Sequence, residues 1–397
     1  MEGGRTASPK RMKLYNHFKR YLADFIVQEK ISTIEGGDYP LYILKKSNVS
    51  TMEAIRLIGR FLKIHPADIG FAGLKDKFGI TSQYITLIKG SFPEKICFVQ
   101  RQGKWKKVDF VNFYEETGFC IQKIGTRVKK IELGELEGNY FTITLRDISK
   151  EYRRRIYKNI DLVLKYGFAN YFGEQRFGNL KGQKYFILPY LLKGDFRKSI
   201  EIYLRNKGYT GRLDNWEEVY RKMKGKLEIY ERDFILGLKR GLKPEKAFRI
   251  LPKNIRLMFN FAFQSFLWNR YLYRYIKEKY PYKTVEFINN WKMAFYLRVY
   301  DLEYLKELEI PYTGKEYNVC DDILRRIIKQ TLREQGIKEE DINRDIIGIK
   351  VLTDGKRKAV VFPENLKIQG KNNKALTLQF FLPSGSYATV LLRNLLS

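Results

Sequence analysis

The hydrophobic periodicity of this chain changes twice along its 397 residues. Short strand and helix patterns alternate up to about Lys150, long helical periods with few turn signals follow from Arg153, and two-residue strand periods return near Gly348. Strand-rich ends around a helical middle predict one α+β domain that is interrupted by an inserted, mainly helical domain. The length supports this prediction, because single hydrophobic cores stop growing at about 250–300 residues.

The predicted domain boundaries follow these changes of pattern. The α+β domain takes residues 12–166 and 351–397, and the helical insertion takes residues 167–350. Residues 1–11 are predicted to be a flexible lead, because the segment "MKLYNHFKRY" that begins at Met12 looks like a natural start.

The charge balance predicts an anionic polymer as partner. The chain has 75 Lys and Arg residues against 44 Asp and Glu residues, a formal net charge of +31, and the basic residues are spread along it rather than gathered in a tail. Closely spaced phosphates match such a surface best, so RNA or DNA is the expected ligand. The charge alone fits a non-catalytic RNA-binding or ribosome-associated protein as well as an enzyme.

The rare residue types exclude several kinds of catalytic site. With only two histidines, a Ser-His-Asp triad or a multi-histidine metal centre is not expected, and neither a GxxxxGK(S/T) loop nor a GxGxxG motif occurs. The odd number and wide spacing of Cys97, Cys120 and Cys320 predict neither a disulfide framework nor a metal site, and fit a reducing, intracellular compartment. No apolar run approaches the ~18 residues of a membrane span. Any catalysis would therefore use carboxylates, Lys, Tyr or Cys.

One acidic residue stands between two bases in residues 70–87, "GFAGLKDKFGITSQYITL". A helix is predicted upstream, with a capping box from Ser50 to Glu53 and an end before Pro66. The pattern then predicts a short strand, a loop that carries Asp76, and an alternating strand. An aspartate in such a loop is either a turn former or, beside cationic residues, a nucleophile.

The segment "FLKIHPADIGFAGLKDKFGITSQ" closely resembles the signature GxKDxxAxTxQ of the TruD family of tRNA pseudouridine synthases, in its archaeal form. Gly79 stands where that family often has Ala. Further segments resemble family motifs, in the family's order and over nearly the whole chain: "ADFIVQEK" at 23–30, "GELEGNYFTITLR" at 134–146, "NYFGEQRFG" at 170–178, "AFQSFLWN" at 262–269 and "FFLPSGSYATVLLRNL" at 380–395.

The resemblance implies an isomerase that converts uridine to pseudouridine in tRNA, at the thirteenth nucleotide in the D arm, without a cofactor or a metal. It implies a pseudouridine-synthase-like catalytic domain with a mixed or antiparallel sheet, formed by both ends of the chain, and a TRUD insertion domain between them. The expected compartment is the cytoplasm. A synthase that acts on another tRNA position or on ribosomal RNA stays open as an alternative.

The motifs also assign roles to residues. Asp76 corresponds to the catalytic aspartate of the family, and its neighbours Lys75 and Lys77 are candidates for RNA phosphate contacts because of their charge. For "NYFGEQRFG" we expect packing and an internal ion pair of Glu174 with Arg176 rather than catalysis. Four positions correspond to residues that contact the target nucleotide, the last by stacking on the flipped base: Phe25 in "DFIV", Asn139 in "GNYF", Tyr387 in "GSYAT" and Phe141 in "GNYF".

Overall fold

The computed structural model describes residues 18–32, 35–178, 186–312, 319–372 and 375–397. The predicted lead of residues 1–11 lies outside the described residues. The chain divides into two compact units. A sheet unit takes the chain up to Leu164 with Phe362–Ala388 and Leu396, and a helical unit takes Lys165–Val361 with Thr389–Leu395 and Ser397.

The first elements along the chain are mostly strands. They are β1 (Phe25–Ile31), β2 (Glu35–Ser47), α1 (Thr51–Leu62), β3 (Gly70–Phe71), β4 (Ile80–Thr86), β5 (Lys95–Arg101), β6 (Lys104–Val108), β7 (Gly118–Arg127), β8 (Leu136–Arg146) and α2 (Lys150–Tyr166).

The elements that follow are mostly helices and very short strands, before two long strands and a last helix. They are β9 (Phe168–Ala169), α3 (Leu188–Leu192), α4 (Phe196–Asn206), α5 (Trp216–Met223), α6 (Ile229–Lys239), α7 (Pro244–Phe248), α8 (Lys253–Lys279), β10 (Tyr282–Glu286), β11 (Lys292–Tyr296), α9 (Leu302–Glu307), β12 (Glu309–Pro311), α10 (Asp322–Glu334), β13 (Asp345–Ile346), β14 (Ile349–Lys350), β15 (Lys356–Lys358), β16 (Val360–Val361), β17 (Glu364–Asn372), β18 (Ala375–Pro383) and α11 (Ala388–Leu396).

The long strands of the sheet unit form one sheet of ten strands. Their order is β17-β18-β8-β1-β4-β2-β7-β5-β6, and β3 pairs with β4 beside this path. β1 and β4 run parallel, whereas the other neighbouring strands run antiparallel. The predicted α+β class with a mixed sheet is therefore confirmed.

Helix α1 begins and ends where the sequence predicts. The side chain of Ser50 accepts a hydrogen bond from the backbone N–H of Glu53, and Lys63 closes the helix in the left-handed conformation, before Pro66. The apolar face of α1, including Ile55, packs on buried side chains of the sheet such as Leu44 of β2. Burial of this face fixes α1 against one side of the sheet.

The cysteines contradict the prediction of no disulfide. Cys97 of β5 and Cys120 of β7 form a disulfide bond, with their Cα atoms 4.0 Å apart. The two residues lie directly opposite each other in the antiparallel pair of β5 and β7. Their distance along the sequence concealed this register. Cys320 is free and exposed.

The helical unit is organised around α8. Trp268 lies near the middle of this helix, is fully buried, and donates a hydrogen bond from its indole N–H to the carbonyl of Ile310, at 3.0 Å. Tyr171 is also fully buried, and its hydroxyl donates to the carbonyl of Ala294. No helix within the described ranges combines the length and the apolar character that a membrane crossing needs.

The ion pair predicted inside "NYFGEQRFG" is wrong in its partner. Glu174 is buried and pairs with Arg393 of α11, not with Arg176. Arg176 instead donates a hydrogen bond to the hydroxyl of Ser265 and lies over the ring of Phe261. The motif serves packing, as expected, but its charges are satisfied by residues far away in the sequence.

Candidate active site

The register of the sheet brings residues from five neighbouring strands to one face. Val27 of β1 lies beside Thr81 of β4, and Thr81 lies opposite Lys46 of β2. On the other side, Val27 lies opposite Phe141 of β8, which lies opposite Phe380 of β18. Strand side chains alternate between faces, so residues two positions along a strand from those just named share this face. They are Phe25 and Glu29 of β1, Gln83 of β4 and Asn139 of β8.

Asp76 lies in the loop that joins β3 to β4, as predicted, and buried side chains bind the backbone of this loop. Gln83 donates from Nε2 to the carbonyl of Gly73, at 3.0 Å. The hydroxyl of Thr51, in the first turn of α1, accepts from the backbone N–H of Lys75 at 3.1 Å and donates to Oε1 of Gln83 at 2.8 Å. Elements on both sides of the loop therefore fix its backbone.

Lys46 lies directly below the same loop and is fully buried. Its Nζ donates to the carbonyl of Asp76 at 2.6 Å and to that of Lys75 at 3.4 Å. Burial lowers the pKa of Lys46 to about 7, while the charge of Asp76 raises it and the charge of Lys75 lowers it further.

The carboxylate of Asp76 is a quarter exposed and forms an ion pair with Lys19, with Nζ 2.9 Å from Oδ1. Lys19 has a left-handed backbone, with φ of 63°, which is uncommon for a residue other than glycine. Its Nζ also lies 3.9 Å from the ring centre of Phe25. Lys19 thus joins the acid of the loop to the aromatic residue at the start of β1.

The aromatic residues of the site differ in exposure. Phe25 is almost fully buried, and its ring centre lies 6.2 Å from that of Phe141. Phe141 is only half-buried and stacks on Phe380, with ring centres 5.4 Å apart and planes 26° apart. Phe141 therefore has one side packed and part of its ring open.

Asn139 and Tyr387 come from neighbouring strand ends. Asn139 of β8 is half-buried, and its Oδ1 is shielded from solvent yet has no hydrogen-bond partner among the residues that the structure describes. Tyr387 is half-buried and follows the turn after β18, which is tied to β8 by a hydrogen bond from the N–H of Ser384 to the carbonyl of Glu137. A shielded carbonyl oxygen without a partner is costly unless a ligand supplies a donor.

The two lysines beside Asp76 have different environments. The side chain of Lys75 is 6% exposed and forms an ion pair with buried Glu29, whose other oxygen accepts from the backbone N–H of Tyr84. This engagement argues against the phosphate contact expected from Lys75. Lys77 is exposed, so its charge is available to RNA.

At Gly79 the backbone conformation and a close neighbour leave no room for a side chain. Its φ is +129°, and a Cβ there would lie 2.5 Å from the carbonyl oxygen of Phe25. The alanine that the family often has would therefore need a shifted backbone in this chain.

Sequence reasoning missed Lys19, Lys46 and Glu29. Lys19 precedes β1 in no recognisable motif, so its contact with Asp76 depends on the folded chain. Lys46 carried a usable signal, because it follows Tyr42 and Leu44 at two-residue spacing on the apolar side of β2. A charged residue in such a row predicts a buried charge with a hydrogen-bond partner, since burial of a charge has to be compensated.

The comparisons with known proteins agree with one another. A family model described as "tRNA pseudouridine synthase D (TruD)" matches residues 13–287 and 304–395. The chain is 38% identical over 382 residues to "tRNA pseudouridine synthase D" of Aquifex aeolicus, covering 94% of this chain and 96% of that protein. It is 31% identical over 375 residues to "Probable tRNA pseudouridine synthase D" of Nanoarchaeum equitans, covering 90% of this chain and 87% of that protein.

A crystal structure from Methanosarcina mazei that carries the same enzyme name is similar in fold. The TM-score is 0.65, and the match covers 96% of this chain and 93% of that chain. The two sequences are 24% identical, so this likeness bears on the fold alone.

Proposed function

The chain belongs to the TruD family of tRNA pseudouridine synthases, and on that premise we propose that Asp76 is the nucleophile with which it isomerises the uridine at the thirteenth nucleotide of tRNA, in the D arm. Membership makes the protein an isomerase that forms pseudouridine in tRNA. The observation that supports Asp76 is its setting. Its backbone is held by buried side chains, and its partly exposed carboxylate is held by Lys19.

The reaction suits a single, fixed carboxylate. The bond between N1 of uracil and C1′ of ribose breaks, a bond between C5 and C1′ forms, and the hydrogen on C5 is replaced by one on N1. A carboxylate can start this exchange by adding to the base or to C1′, or by taking a proton from the ribose. In each case the detached base has to turn and be reattached without loss to solvent.

The face that carries Asp76 also offers a place for the base. We propose that the open part of Phe141 stacks on the flipped uracil, and that Oδ1 of Asn139 accepts a hydrogen bond from N3–H of uracil. The half-buried ring and the oxygen without a partner support these roles. Phe25 shapes the floor of the site beside Lys19, and Tyr387 contacts the nucleotide from the end of β18.

The remaining surface is proposed to serve the rest of the tRNA. Exposed Lys77 contacts phosphate next to the target uridine, in keeping with the net charge of +31. We assign the sheet unit as the catalytic domain and the helical unit as the insertion. Since the substrate is tRNA, we propose the cytoplasm as the compartment.

The test is Asp76→Asn, with Asp109→Asn, an exposed carboxylate outside the loop, as the matched control. The purified proteins are incubated with unmodified tRNA, which is digested to nucleosides, and pseudouridine is mapped by position. Asp76→Asn is expected to abolish product while tRNA affinity and thermal unfolding stay near wild type. Product at a normal rate in Asp76→Asn would remove Asp76 from the mechanism. Product at another nucleotide in the wild-type reaction would correct the target position alone.

A further inference from the structure

Lys46 breaks an otherwise apolar row on the inner face of β2. Tyr42, Leu44 and Lys46 follow at two-residue spacing, and all are fully buried. Across the sheet Lys46 lies between Phe119 of β7, which is fully buried, and Thr81 of β4. Burial of an amine in such surroundings costs free energy, so this lysine needs strong hydrogen-bond partners.

The hydrogen-bond partners of this amine are backbone carbonyls of the loop that joins β3 to β4 and carries Asp76. Nζ of Lys46 lies 2.6 Å from the carbonyl oxygen of Asp76 and 3.4 Å from that of Lys75. Thr81 lies opposite Lys46, and its buried hydroxyl has no hydrogen-bond partner within the described part of the chain. Thr81 therefore does not bind the loop carbonyls in place of Lys46. The peptide unit that follows Asp76 is therefore tied to β2 through Lys46.

This contact completes the support of the loop. Gln83 binds the carbonyl of Gly73, and Thr51 binds the N–H of Lys75, both before the aspartate. Lys46 binds the carbonyls of Lys75 and Asp76, which belong to the two peptide units that flank the aspartate. When the peptide units on both sides of a residue are fixed, the direction of its Cβ is fixed as well, so the carboxylate is aimed by contacts made below the backbone.

We propose that Lys46 is a positioning residue for the isomerisation, which aims the carboxylate of Asp76 by holding its backbone carbonyl from beneath the loop. The inference rests on the proposed role of Asp76 as nucleophile. Lys46 contacts neither RNA nor the reacting atoms, because it is fully buried. Its loss should therefore affect the rate of the chemical step and leave the binding of tRNA unchanged.

The experiment compares Lys46→Met with Lys45→Met. Met keeps the length and the apolar stem but removes the amine. Lys45 is the residue before Lys46 in the same strand, and it is exposed on the opposite face. Single-turnover rates with enzyme in excess, tRNA dissociation constants and hydrogen exchange of the peptide covering residues 73–80 are measured for each. Lys46→Met should lower the rate by about 10- to 100-fold, as expected for a misplaced catalytic group, and speed exchange in that peptide.

The outcomes separate this inference from the proposed function. Lys45→Met should match wild type in rate, affinity and exchange. A wild-type rate in Lys46→Met, beside an inactive Asp76→Asn, would overturn the role of Lys46 alone. The role would also be overturned if weaker tRNA binding explained the whole loss of rate in Lys46→Met while hydrogen exchange in the peptide 73–80 stayed unchanged. A wild-type protein that forms no pseudouridine would overturn the proposed function and this inference together.

A second variant covers the case in which Lys46→Met does not fold. Lys46→Gln keeps a donor and a polar group, but its side chain is too short to reach the loop. The same rate loss and faster exchange in folded Lys46→Gln would support the inference, and a wild-type rate would overturn it.

Discussion

Nζ of Lys19 lies 2.9 Å from Oδ1 of Asp76, so the proposed nucleophile is held by a residue that is 57 positions away in the sequence. The same amine lies over the ring of Phe25, which limits its freedom to leave the carboxylate. The acid is thus positioned from above by Lys19 and through its backbone by Lys46, and the two contacts can be tested separately.

Removal of the amine of Lys19 should weaken the hold on the carboxylate of Asp76, because the ion pair between the two side chains is lost. Lys19→Met is expected to slow the single-turnover reaction by about 100-fold, because misorientation of a reacting group has effects of this size. The matched control is Lys89→Met, which breaks an exposed ion pair with Asp38 and should react at the wild-type rate. An equal rate in both variants would show that the contact of Lys19 is incidental.

Phe141→Ala should remove the surface on which the flipped base is proposed to stack. Base stacking is worth about 1–3 kcal/mol by alanine substitution, so the rate should fall by roughly 5- to 150-fold while tRNA affinity changes little. Tyr140→Ala serves as the control, because Tyr140 is the neighbouring residue on the opposite face, exposed and packed on Phe381. Phe141 would be ordinary packing if its variant lost stability but kept the rate of the folded enzyme.

Gly79→Ala should destabilise the protein in a way that Gly73→Ala does not. At Gly79 the backbone has a φ of +129° and a Cβ would meet the carbonyl oxygen of Phe25, whereas a Cβ at Gly73 would have nothing within 4 Å. We expect a loss of about 1–3 kcal/mol in the free energy of unfolding for Gly79→Ala alone, measured by denaturant titration. Equal stability of the two variants would mean that the loop relaxes at no cost.

The pKa of Lys46 predicts a pH-dependent stability. Burial lowers this pKa to about 7 in the folded protein from 10.5, and the charged groups that act on it are Asp76 and Lys75 of the loop. The residues that lie opposite Lys46 in β4 and β7 are neutral: Thr81 and Phe119. Below pH 7 both states carry the proton, and the folded state bears the full cost of the buried charge.

Between pH 7 and 10.5 the unfolded chain holds more protons at this position, so the contribution of Lys46 to stability should rise with pH. The slope is at most about 1.4 kcal/mol per pH unit. Lys46→Met should lack this rise, and Lys45→Met should keep it, when the free energy of unfolding is measured from pH 6 to about pH 10. Parallel curves for wild type and Lys46→Met would show that Lys46 does not titrate in this range.

The parts of the fold that the sequence predicted are those with local signals. The cap at Ser50, the period of α1 and the alternation of β4 are read within a few residues, and together they place Asp76 in its loop. The helical middle of the chain was visible for the same reason, since α8 carries its own long periodic pattern.

The contacts that the sequence did not reveal all depend on register or on distant pairing. Cys97 meets Cys120 because β5 lies beside β7, and Glu174 meets Arg393 although 219 positions separate them. The aspartate was found through its motif, but the residues that hold it, Lys19 and Lys46, come from elements that no local pattern connects to the loop.

The pairing of β8 with β18 also sets the order in which the enzyme can mature during synthesis. Thr144 and Thr377 bond to each other across these strands from positions 233 residues apart. Until the ribosome has made the second of them, one edge of β8 is unpaired, and open strand edges attract other chains. Phe380, which supports Phe141, arrives with the same late strand. A nascent chain therefore carries Asp76 well before it gains the strand that supports Phe141, the residue proposed to stack on the base.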